Sequence, residues 1–194
     1  MKGRYLLAVA LGLLLGFGLT QWGATVMRVH GVSMEPTLGD GEVVLVVREP
    51  LARLLEGLGA LPEATRAGTV VVVPDPGSGR DAAPAPAGGP LLVKRVVAAG
   101  GQVVALVDGR VEVDGEPLAE PWLVGSGGGH ASHPGVGVPV GSVFLLGDNR
   151  LPLASRDSRQ FGPVRLTALR GRVIAHVRSP FQPEGWRWPL TAVR

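Results

Sequence analysis

Beyond Arg28 the chain consists of short apolar runs, rich in Val, that Gly, Pro and Asp residues interrupt. These runs show little 3.6-residue periodicity, and their length and composition are typical of β-strands. Asp-Gly pairs at Asp108 and Asp114 predict tight turns around a hairpin. The pattern therefore predicts a mostly β fold, with strands over residues 42–47, 69–73, 91–98, 103–107, 110–113, 142–146 and 171–178 and one short helix over residues 51–58.

The amino-terminal segment is more apolar than the rest of the chain. Residues 5–27 carry no charge, and about 23 residues are enough to cross a bilayer as a helix. Lys2 and Arg4 precede this run, so the positive-inside bias predicts a cytoplasmic amino terminus, with Trp22 near the outer headgroup level. We expect a single transmembrane anchor in residues 1–27 and an extracytoplasmic domain in residues 28–194.

A cleavable signal peptide is the alternative interpretation of this segment, because secretory signals also begin with a charged start and an apolar core. The sequence favours an anchor, since no clean small-x-small cleavage site follows the core and the uncharged run exceeds a usual signal core. Both interpretations place the remaining chain outside the cytoplasm. Two further stretches, residues 74–90 and 125–139, are dense in Gly and Pro and are predicted to be loops without assigned chemistry.

Composition narrows the possible functions. Cys is absent, which excludes disulfides and thiolate nucleophiles. The formal net charge is only +3 and the arginines are scattered, so we expect no nucleic-acid partner. Among the 19 basic residues, only Lys2 and Lys94 are Lys. A lone Lys in an Arg-rich chain suggests a task that requires losing a proton, which a guanidinium does not do.

Ser33 and Lys94 are the candidate nucleophile and base. Ser33 directly follows the apolar segment, and Pro36 favours an ordered turn that presents its hydroxyl and nearby N–H groups rigidly. Lys94 shares strand parity with Leu92 and Val96, where loss of hydration would lower its pKa and let it accept the Ser33 proton. A strand-edge Lys whose amine reaches water is the alternative.

Three other sets of polar residues have weaker signals. His130 and His133 lie in a Gly-rich loop, and without Cys or suitably spaced carboxylates we expect neither a metal site nor a cofactor. The parity of the Lys94 strand directs Arg95 to the opposite face, where we expect it to face solvent. The segment from Gly147 to Pro163 concentrates hydroxyls, carboxylates and guanidiniums, which could support a site or form a polar surface turn.

In this order the segments resemble the type I signal peptidase family of membrane-bound serine proteases. The resemblance rests on the anchor, SMEPTL at residues 33–38, GDGEVVLV at 39–46, VKRVVA at 93–98, the hairpin VDGRVEVDGEPL, and GDNR with SRDSRQFGPV. It implies a largely antiparallel β catalytic domain on the outer membrane face. It also implies substrates with small residues at the first and third positions before the cut.

The resemblance assigns roles to individual residues. It implies that Ser33 attacks the scissile carbonyl with Lys94 as its base, that Ser155 positions the lysine, and that Asp157 with Arg159 braces the site. The supporting or oxyanion region is expected to include Gly31, Met34, Asp148 and Asn149.

Three features depart from the family pattern. Gly31 occupies a position where some members have a hydroxyl donor to the oxyanion, so here backbone N–H groups would have to serve. Residues 99–102 replace the usual Leu-Pro-Gly-Asp turn, and the gap between GDNR and Ser155 is longer than usual.

The leading hypothesis is a membrane-bound endopeptidase, a monomer in the cytoplasmic membrane, that cleaves signal peptides from exported preproteins. A catalytically inactive, membrane-tethered β domain that binds exported chains is the alternative from another class. A Ser-Lys self-cleaving repressor would need a DNA-binding module, and no such module precedes Ser33.

Overall fold

The computed structural model describes residues 2–77, 89–123, 132–177, 181–182, 185–186 and 190–193. A 21-residue helix, α1 (Lys2–Trp22), opens the chain. Its described large apolar side chains, among them Tyr5, Leu7 and Leu13, are all more than half exposed. Within the part of the chain that the structure describes, no helix combines the length and the apolarity that a membrane crossing requires, so the predicted transmembrane span is not supported by this result.

After α1 the described chain is built around antiparallel sheets, as the mostly β prediction requires. The larger sheet has the order β1-β2-β11-β3-β4-β9-β10, with β14 paired to β11. Its strands are β1 (Ala24–Arg28), β2 (Val43–Arg48), β3 (Val70–Pro74), β4 (Leu91–Ala99), β9 (Ser142–Leu146), β10 (Val164–Arg165), β11 (Gly171–Val177) and β14 (Leu190–Ala192).

A smaller four-stranded sheet has the order β7-β6-β5-β8. Its strands are β5 (Val103–Val107), β6 (Arg110–Val113), β7 (Glu116–Pro117) and β8 (His133–Gly137), and a separate two-stranded ribbon pairs β12 (Phe181–Gln182) with β13 (Gly185–Trp186). Asp108 and Asp114 have φ values of 47° and 54°, each followed by a Gly with positive φ. These are the two Asp-Gly turns that the sequence predicts, because such turns need positive φ at both central residues.

The predicted short helix is present as α2 (Glu49–Gly57), and α3 (Ser158–Phe161) adds one further turn. Single 3-10 turns lie at Pro121–Leu123 and Leu166–Ala168. All seven predicted strands are found within one residue of their predicted bounds where the structure describes them; Arg178, at the end of the last one, lies outside the described residues.

Two segments differ from the sequence-based prediction. The uncharged amino-terminal run does not continue as a helix to Met27, because the chain turns at Gly23 and enters β1, which pairs with β2. The predicted loop at 125–139 contains β8, which pairs with β5. The remainder of that loop, residues 124–131 with His130, and residues 78–88 of the other predicted loop lie outside the described residues.

Apolar side chains cover both faces of the central strands. In β3, Val71 and Val73 pack into one core cluster, while Val70 and Val72 pack into another on the opposite face. In β9, Phe144 and Leu146 join a third cluster, which includes the small sheet. Strands buried on both faces read as continuous apolar runs, which is how these segments appear in the sequence.

Candidate active site

Two apolar side chains of the loop that carries Ser33 anchor it in the core of the domain. Met34 and Leu38 are fully buried in the cluster with Val44 and Val72, and Leu38 N–H donates to the Met34 carbonyl at 2.9 Å. Ser33 itself is only partly buried. The loop therefore places the serine at the surface, directly above a packed apolar cluster.

A second segment holds the same loop from the side. The backbone N–H of Asn149 donates to the Ser33 carbonyl at 3.1 Å, and the Asn149 side-chain amide donates to the Val32 carbonyl at 3.1 Å. Asn149 lies in the turn that follows β9, so this turn and the Ser33 loop are held against each other. This contact gives Asn149, which the sequence placed in the supporting region, a definite structural position.

Lys94 reaches Ser33 from β4. It pairs in register with Val71 of β3 and is only 1% exposed. Its Nζ lies 2.7 Å from Ser33 Oγ and 2.8 Å from the Val93 carbonyl oxygen. The structure thus brings together the two residues that the sequence selected as nucleophile and base.

Burial changes the proton affinity of this lysine. Loss of hydration lowers the pKa of Lys94 from its ordinary 10.5 to about 8, although the nearby Asp157 and Asp148 carboxylates act in the opposite direction. Desolvation dominates because a buried ammonium loses its water without gaining a direct carboxylate contact among the described residues. The neutral amine is therefore a minor but appreciable form near physiological pH.

Asp157 is a hydrogen-bonding centre behind the pair. Its carboxylate accepts from Arg159 Nε at 2.8 Å, from the Gly147 N–H at 3.0 Å and from the Ser155 hydroxyl at 2.7 Å. Burial alone would raise the pKa of Asp157. The hydrogen bonds and positive charge of Arg159, together with the hydrogen bonds from Gly147 and Ser155, outweigh this effect and hold the pKa of Asp157 below its ordinary range. Asp157 therefore stays ionised and fixes three groups at once.

Among the described residues, Ser155 has no hydrogen bond to Lys94, the residue that the resemblance implies it positions. Its hydroxyl donates to Asp157, and the hydrogen-bond partners of Lys94 Nζ among the described residues are Ser33 Oγ and the Val93 carbonyl. Ser155 nevertheless lies beside the site: a Cβ added to Gly147 would be 2.1 Å from Ser155 Oγ and 2.4 Å from the Ser33 carbonyl oxygen. Only a glycine at position 147 allows the three segments to approach this closely.

Arg95 does not face solvent, so that prediction is wrong. Its side chain is fully buried and forms a two-point ion pair with Asp148, with Nε–Oδ1 at 2.9 Å and a terminal nitrogen to Oδ2 at 2.7 Å. It also donates to Thr37 Oγ1 at 3.1 Å, and its guanidinium carbon lies 4.5 Å from the centre of the Trp122 ring. The opposite face of β4 is covered by other parts of the domain.

A pocket of about 110 Å³ opens at the pair, and Met27, Val29, Val44 and Leu92 are among its lining residues. The Ser33 N–H has no hydrogen-bond acceptor among the described residues. Gly31, with φ of 90°, instead directs its N–H to Asp40 at 2.7 Å. Of these two backbone donors, the one at Ser33 is available to a ligand.

The histidines are not part of a metal centre in the described structure. His133 lies on β8, with its Nδ1 2.9 Å from the Pro134 carbonyl oxygen, while His130 lies outside the described residues. Among the residues that are described, no cluster of three potential metal ligands occurs. His30 lines the Ser33 pocket, where the sequence assigned it no role.

Several supporting contacts were not identified from the sequence. The buried Arg150 donates to the Gly147 carbonyl at 2.9 Å and pairs with Glu120, which ties the turn after β9 to the segment after β7. Thr37 and Trp122 both contact Arg95. Except for Gly147 and Arg150, these partners are far apart along the chain, and no local sequence pattern indicates them.

Comparison with known proteins gives consistent relatives. A family model described as signal peptidase, peptidase S26, matches residues 2–177. Signal peptidase I of Bacillus amyloliquefaciens is 30% identical over 163 residues, covering 79% of this chain and 71% of that protein. The mitochondrial ATP-independent inner membrane protease subunit 1a of Arabidopsis thaliana is 33% identical over 154 residues, covering 79% of this chain and 70% of that protein.

A third relative matches a shorter region. Signal peptidase I V of Bacillus subtilis is 37% identical over 87 residues, covering 39% of this chain and 51% of that protein. The chain thus spans about half the length of this curated relative.

Proposed function

The chain belongs to the signal peptidase, peptidase S26, family, and we propose that it is a membrane-bound serine endopeptidase that removes amino-terminal signal peptides from exported preproteins. Ser33 is the proposed nucleophile and Lys94 the proposed general base. Asp157, Arg159, Asp148, Asn149 and Ser155 are the proposed supporting residues.

One observation carries the mechanistic part of this proposal. Lys94 Nζ lies 2.7 Å from Ser33 Oγ, while the lysine is 1% exposed and lacks a carboxylate hydrogen-bond partner among the described residues. A nucleophile within hydrogen-bond reach of a desolvated base is the arrangement that Ser-Lys hydrolysis requires. An ordinary structural lysine would keep its charge by pairing with a carboxylate or reaching water.

In the first half of the reaction, Ser33 Oγ attacks the scissile carbonyl carbon as its proton passes to the neutral Lys94 amine. With a pKa of about 8, about one lysine in ten is neutral at pH 7, against about one in three thousand at the ordinary pKa. The resulting ammonium gives a proton to the leaving amide nitrogen as the C–N bond breaks. The products are an ester on Ser33 and the free amino terminus of the mature protein.

In the second half, water attacks the ester carbonyl and loses its proton to Lys94. The ester C–O bond breaks, Ser33 Oγ takes back the proton, and the signal peptide leaves as a carboxylic acid. The negative oxygen of each tetrahedral intermediate requires hydrogen-bond donors. We propose the unoccupied Ser33 N–H as one of them, because Gly31 has no hydroxyl and its N–H already bonds to Asp40.

The pocket supports the proposed class of substrate. A pocket of about 110 Å³ with several apolar residues in its walls suits small side chains next to the scissile bond. Small residues before the cut are what the family resemblance implies for the substrates. The expected partners are therefore exported preproteins with a small residue before the cleavage site.

The proposed location is the cytoplasmic membrane, with the amino terminus in the cytoplasm and residues 28–194 outside it. The side chains of Tyr5, Leu7 and Leu13 in α1 are 70% to 72% exposed in the chain alone. Burial of such a surface in lipid is strongly favourable. We propose that α1 anchors the domain, as a single pass, on the side of the bilayer where signal peptides emerge.

The direct test is cleavage of a preprotein by the full chain and by the variants Ser33→Ala and Lys94→Ala. Each variant should lose at least about a thousandfold in kcat/KM, because nucleophile and base act as a unit. Gel separation of preprotein and mature protein measures the rate, and unchanged cleavage in either variant would contradict the assignment.

Lys94→Arg is a sharper variant because it keeps the positive charge but cannot provide a neutral base at working pH. It should retain the fold, checked by circular dichroism, and lose turnover of a fluorogenic signal-sequence peptide. If the unaltered chain binds preproteins without cleaving them, the alternative of an inactive binding domain is correct.

A further inference from the structure

The helix α2 directs its acidic side chains towards the domain and its leucines away from it. Glu49 is buried, and both Glu49 and Glu56 pair with the buried Arg172 of β11. Leu54 and Leu58 lie four residues apart at the end of the helix, and they are 60% and 72% exposed. A surface helix normally buries its apolar face against the core and leaves its charges in water. The orientation of α2 is therefore the reverse of the usual one.

The two exposed leucines belong to a stripe of four. Around the helix axis, Leu51, Leu54, Leu55 and Leu58 fall within about 100° of one another, which is the width of the apolar face of an amphipathic helix. Leu51 and Leu55 are half-buried, so the stripe lies at the surface of the domain and not in its core. We call these four residues the leucine stripe.

The end of α2 is an ordered structure. The N–H of Gly59 donates to the Glu56 carbonyl at 2.9 Å, and the N–H of Ala60 donates to the Leu55 carbonyl at 2.8 Å. These two hydrogen bonds, with a φ of 71° at Gly59, form the Schellman motif that ends many helices. The exposed leucines are therefore held on a regular helix that has a defined stop.

The position of α2 indicates what covers the leucine stripe. The backbone N–H of Arg48, the residue before α2, donates at 2.8 Å to the carbonyl of Gly23, the residue that follows α1. The two helices thus meet at this hydrogen bond. A helix of nine residues rises about 14 Å, so Leu54 and Leu58 lie within about 20 Å of the end of α1. The stripe is therefore close to the bilayer surface from which the proposed anchor emerges.

The size of the leucine stripe favours lipid over a protein partner. Specific protein interfaces bury about 1,200–2,000 Å² in total, and one face of a nine-residue helix supplies only a small part of that area. Lipid has no such threshold, because a helix already tethered to the bilayer needs only to bury its own apolar side chains. A short amphipathic helix beside a membrane anchor is suited to the interface of the same bilayer.

We propose that α2 lies in the interface of the bilayer, with Leu54 and Leu58 among the upper parts of the lipid acyl chains. The inference rests on the proposed membrane attachment through α1. Interfacial helices place their apolar face about 5–10 Å into the boundary between headgroups and acyl chains. A second contact besides α1 fixes the angle of the domain on the membrane, and with it the height of the Ser33 pocket above the lipid.

The test measures the depth of α2 in liposomes that hold the full chain. The chain has no Cys, so the variant Gly57→Cys carries a single environment-sensitive fluorophore on α2, at a position where a Cβ meets nothing within 4 Å. Doxyl groups on the upper acyl chains should quench this label, and aqueous iodide should not. The matched control Val107→Cys, 45% exposed at the end of β5 in the small sheet, should show the opposite pattern.

Two double variants, each made together with Gly57→Cys, show whether the leucines cause the insertion. Leu54→Gln, Leu58→Gln should lose most of the doxyl quenching and keep its melting temperature in detergent, because exposed side chains contribute little to stability. Leu151→Gln, Leu153→Gln removes two other leucines, 56% and 95% exposed, and should leave the quenching unchanged. Equal loss of quenching in both double variants overturns the proposal.

The two quenchers also distinguish other surroundings of α2. A label on Gly57→Cys that iodide quenches and doxyl lipid does not would place the helix in water and overturn the proposal. A label that neither quencher reaches would mean that protein covers the leucine stripe, such as a second copy of the chain, which also overturns the lipid assignment.

The proposed function is tested separately in the same liposomes. A chain that carbonate extracts completely would overturn both the attachment through α1 and the position of α2, whereas an attached chain with its label in water would overturn only the position of α2. Ser33→Ala should abolish preprotein cleavage and leave the doxyl quenching unchanged. Quenching by doxyl lipid in an unaltered chain that cleaves nothing would overturn the proposed enzyme and leave the interfacial helix in place.

Discussion

Lys94 is placed where its charge is disfavoured but not eliminated. Burial lowers its pKa to about 8, while Asp157 and Asp148 pull in the other direction without bonding to Nζ. A direct carboxylate contact would stabilise the ammonium, and a fully apolar site would make the product ammonium too costly. The observed position suits a group that must accept a proton and then give it up.

We predict that kcat/KM of peptide cleavage rises with pH along an acidic limb with an apparent pKa of about 8. The sign follows from the chemistry: the active form is the neutral amine, so activity is lost as the pH falls through the lysine pKa and reaches a plateau above it. Well below that pKa, each unit of pH should cost about tenfold in kcat/KM. Initial rates on a fluorogenic peptide, measured in buffers of constant ionic strength, provide the profile.

His30 provides the control for this profile, because it lines the same pocket and is the other titratable group there that could act as a base. The variant His30→Gln should leave the acidic limb in place. An acidic limb that disappears in this variant would assign the base to His30 and not to Lys94.

At the scale of single residues, the sequence identifies Lys94 because it is the single Lys of the domain in a chain that otherwise uses Arg. The alternation along the same strand wrongly predicts that Arg95 faces solvent. Alternation along a strand tells which residues share a face, but not what covers that face. The partner of Arg95, Asp148, is 53 positions away along the chain and Trp122 comes from a third segment, so only the assembled fold shows that the site is closed.

At the scale of elements, the site depends on how closely the turn after β9 approaches the Ser33 loop. Asn149 bonds to the carbonyls of Ser33 and Val32, and Gly147 leaves no room for a side chain between Ser33 and Ser155. Asp157 adds a bond to the Gly147 N–H from the segment beyond. The serine is thus positioned by two segments that are separate from its own loop.

We predict that Gly147→Ala lowers kcat for peptide cleavage by about a hundredfold, since a displacement of the nucleophile near 1 Å has effects of that size. The added methyl group would lie 2.4 Å from the Ser33 carbonyl oxygen, so the Ser33 loop must move. The overpacking should also cost about 1–3 kcal/mol in the free energy of unfolding. Steady-state kinetics and urea denaturation of the same variant measure the two effects.

Substitutions at two other glycines distinguish a loss of kcat caused by displacing Ser33 from one caused by a general loss of stability. A Cβ on Gly171 would lie 2.6 Å from the Val47 carbonyl oxygen, whereas one on Gly137 meets nothing within 4 Å. Gly171→Ala should therefore lose stability with nearly normal kcat at a temperature where it is folded, and Gly137→Ala should resemble the unaltered chain. If Gly171→Ala loses as much kcat as Gly147→Ala, the specific role of the turn after β9 is excluded.

The sequence predicts strands well where the apolar run is continuous. It predicts them poorly where the strand has no such run and forms through backbone hydrogen bonds to a neighbouring strand. Strand β8 contains Pro134 and two glycines and looks like a loop, but its backbone pairs with β5 and Val136 packs against the core of the small sheet. The sequence predicts that the residues of strand β1 belong to the amino-terminal helix, because its uncharged residues continue the apolar run. Its pairing with β2 decided its conformation, since tertiary contacts override local propensity.

At the scale of the whole molecule, two features of very different character are joined at Gly23. The helix α1 exposes apolar surface, and the β domain begins immediately with β1, whose Met27 lines the Ser33 pocket. The short connection leaves little freedom for the pocket to move away from the end of the helix. For a domain anchored through α1 as proposed, this arrangement favours substrates that emerge from the bilayer close to the enzyme.

Deletion of residues 2–22 tests this arrangement, because tethering should matter only for substrates on the same bilayer. We predict that the shortened chain cleaves a soluble peptide with nearly unchanged kcat/KM but cleaves a preprotein inserted in liposomes about a hundredfold or more slowly, since a shared membrane raises the effective concentration by about that factor. Replacing α1 with an unrelated apolar helix of equal length should restore the faster rate. Both rates are measured by gel separation of the products. Resistance of the full chain to carbonate extraction checks that the helix is inserted in the bilayer. Equal slowing on both substrates would instead mean that α1 supports the fold of the domain.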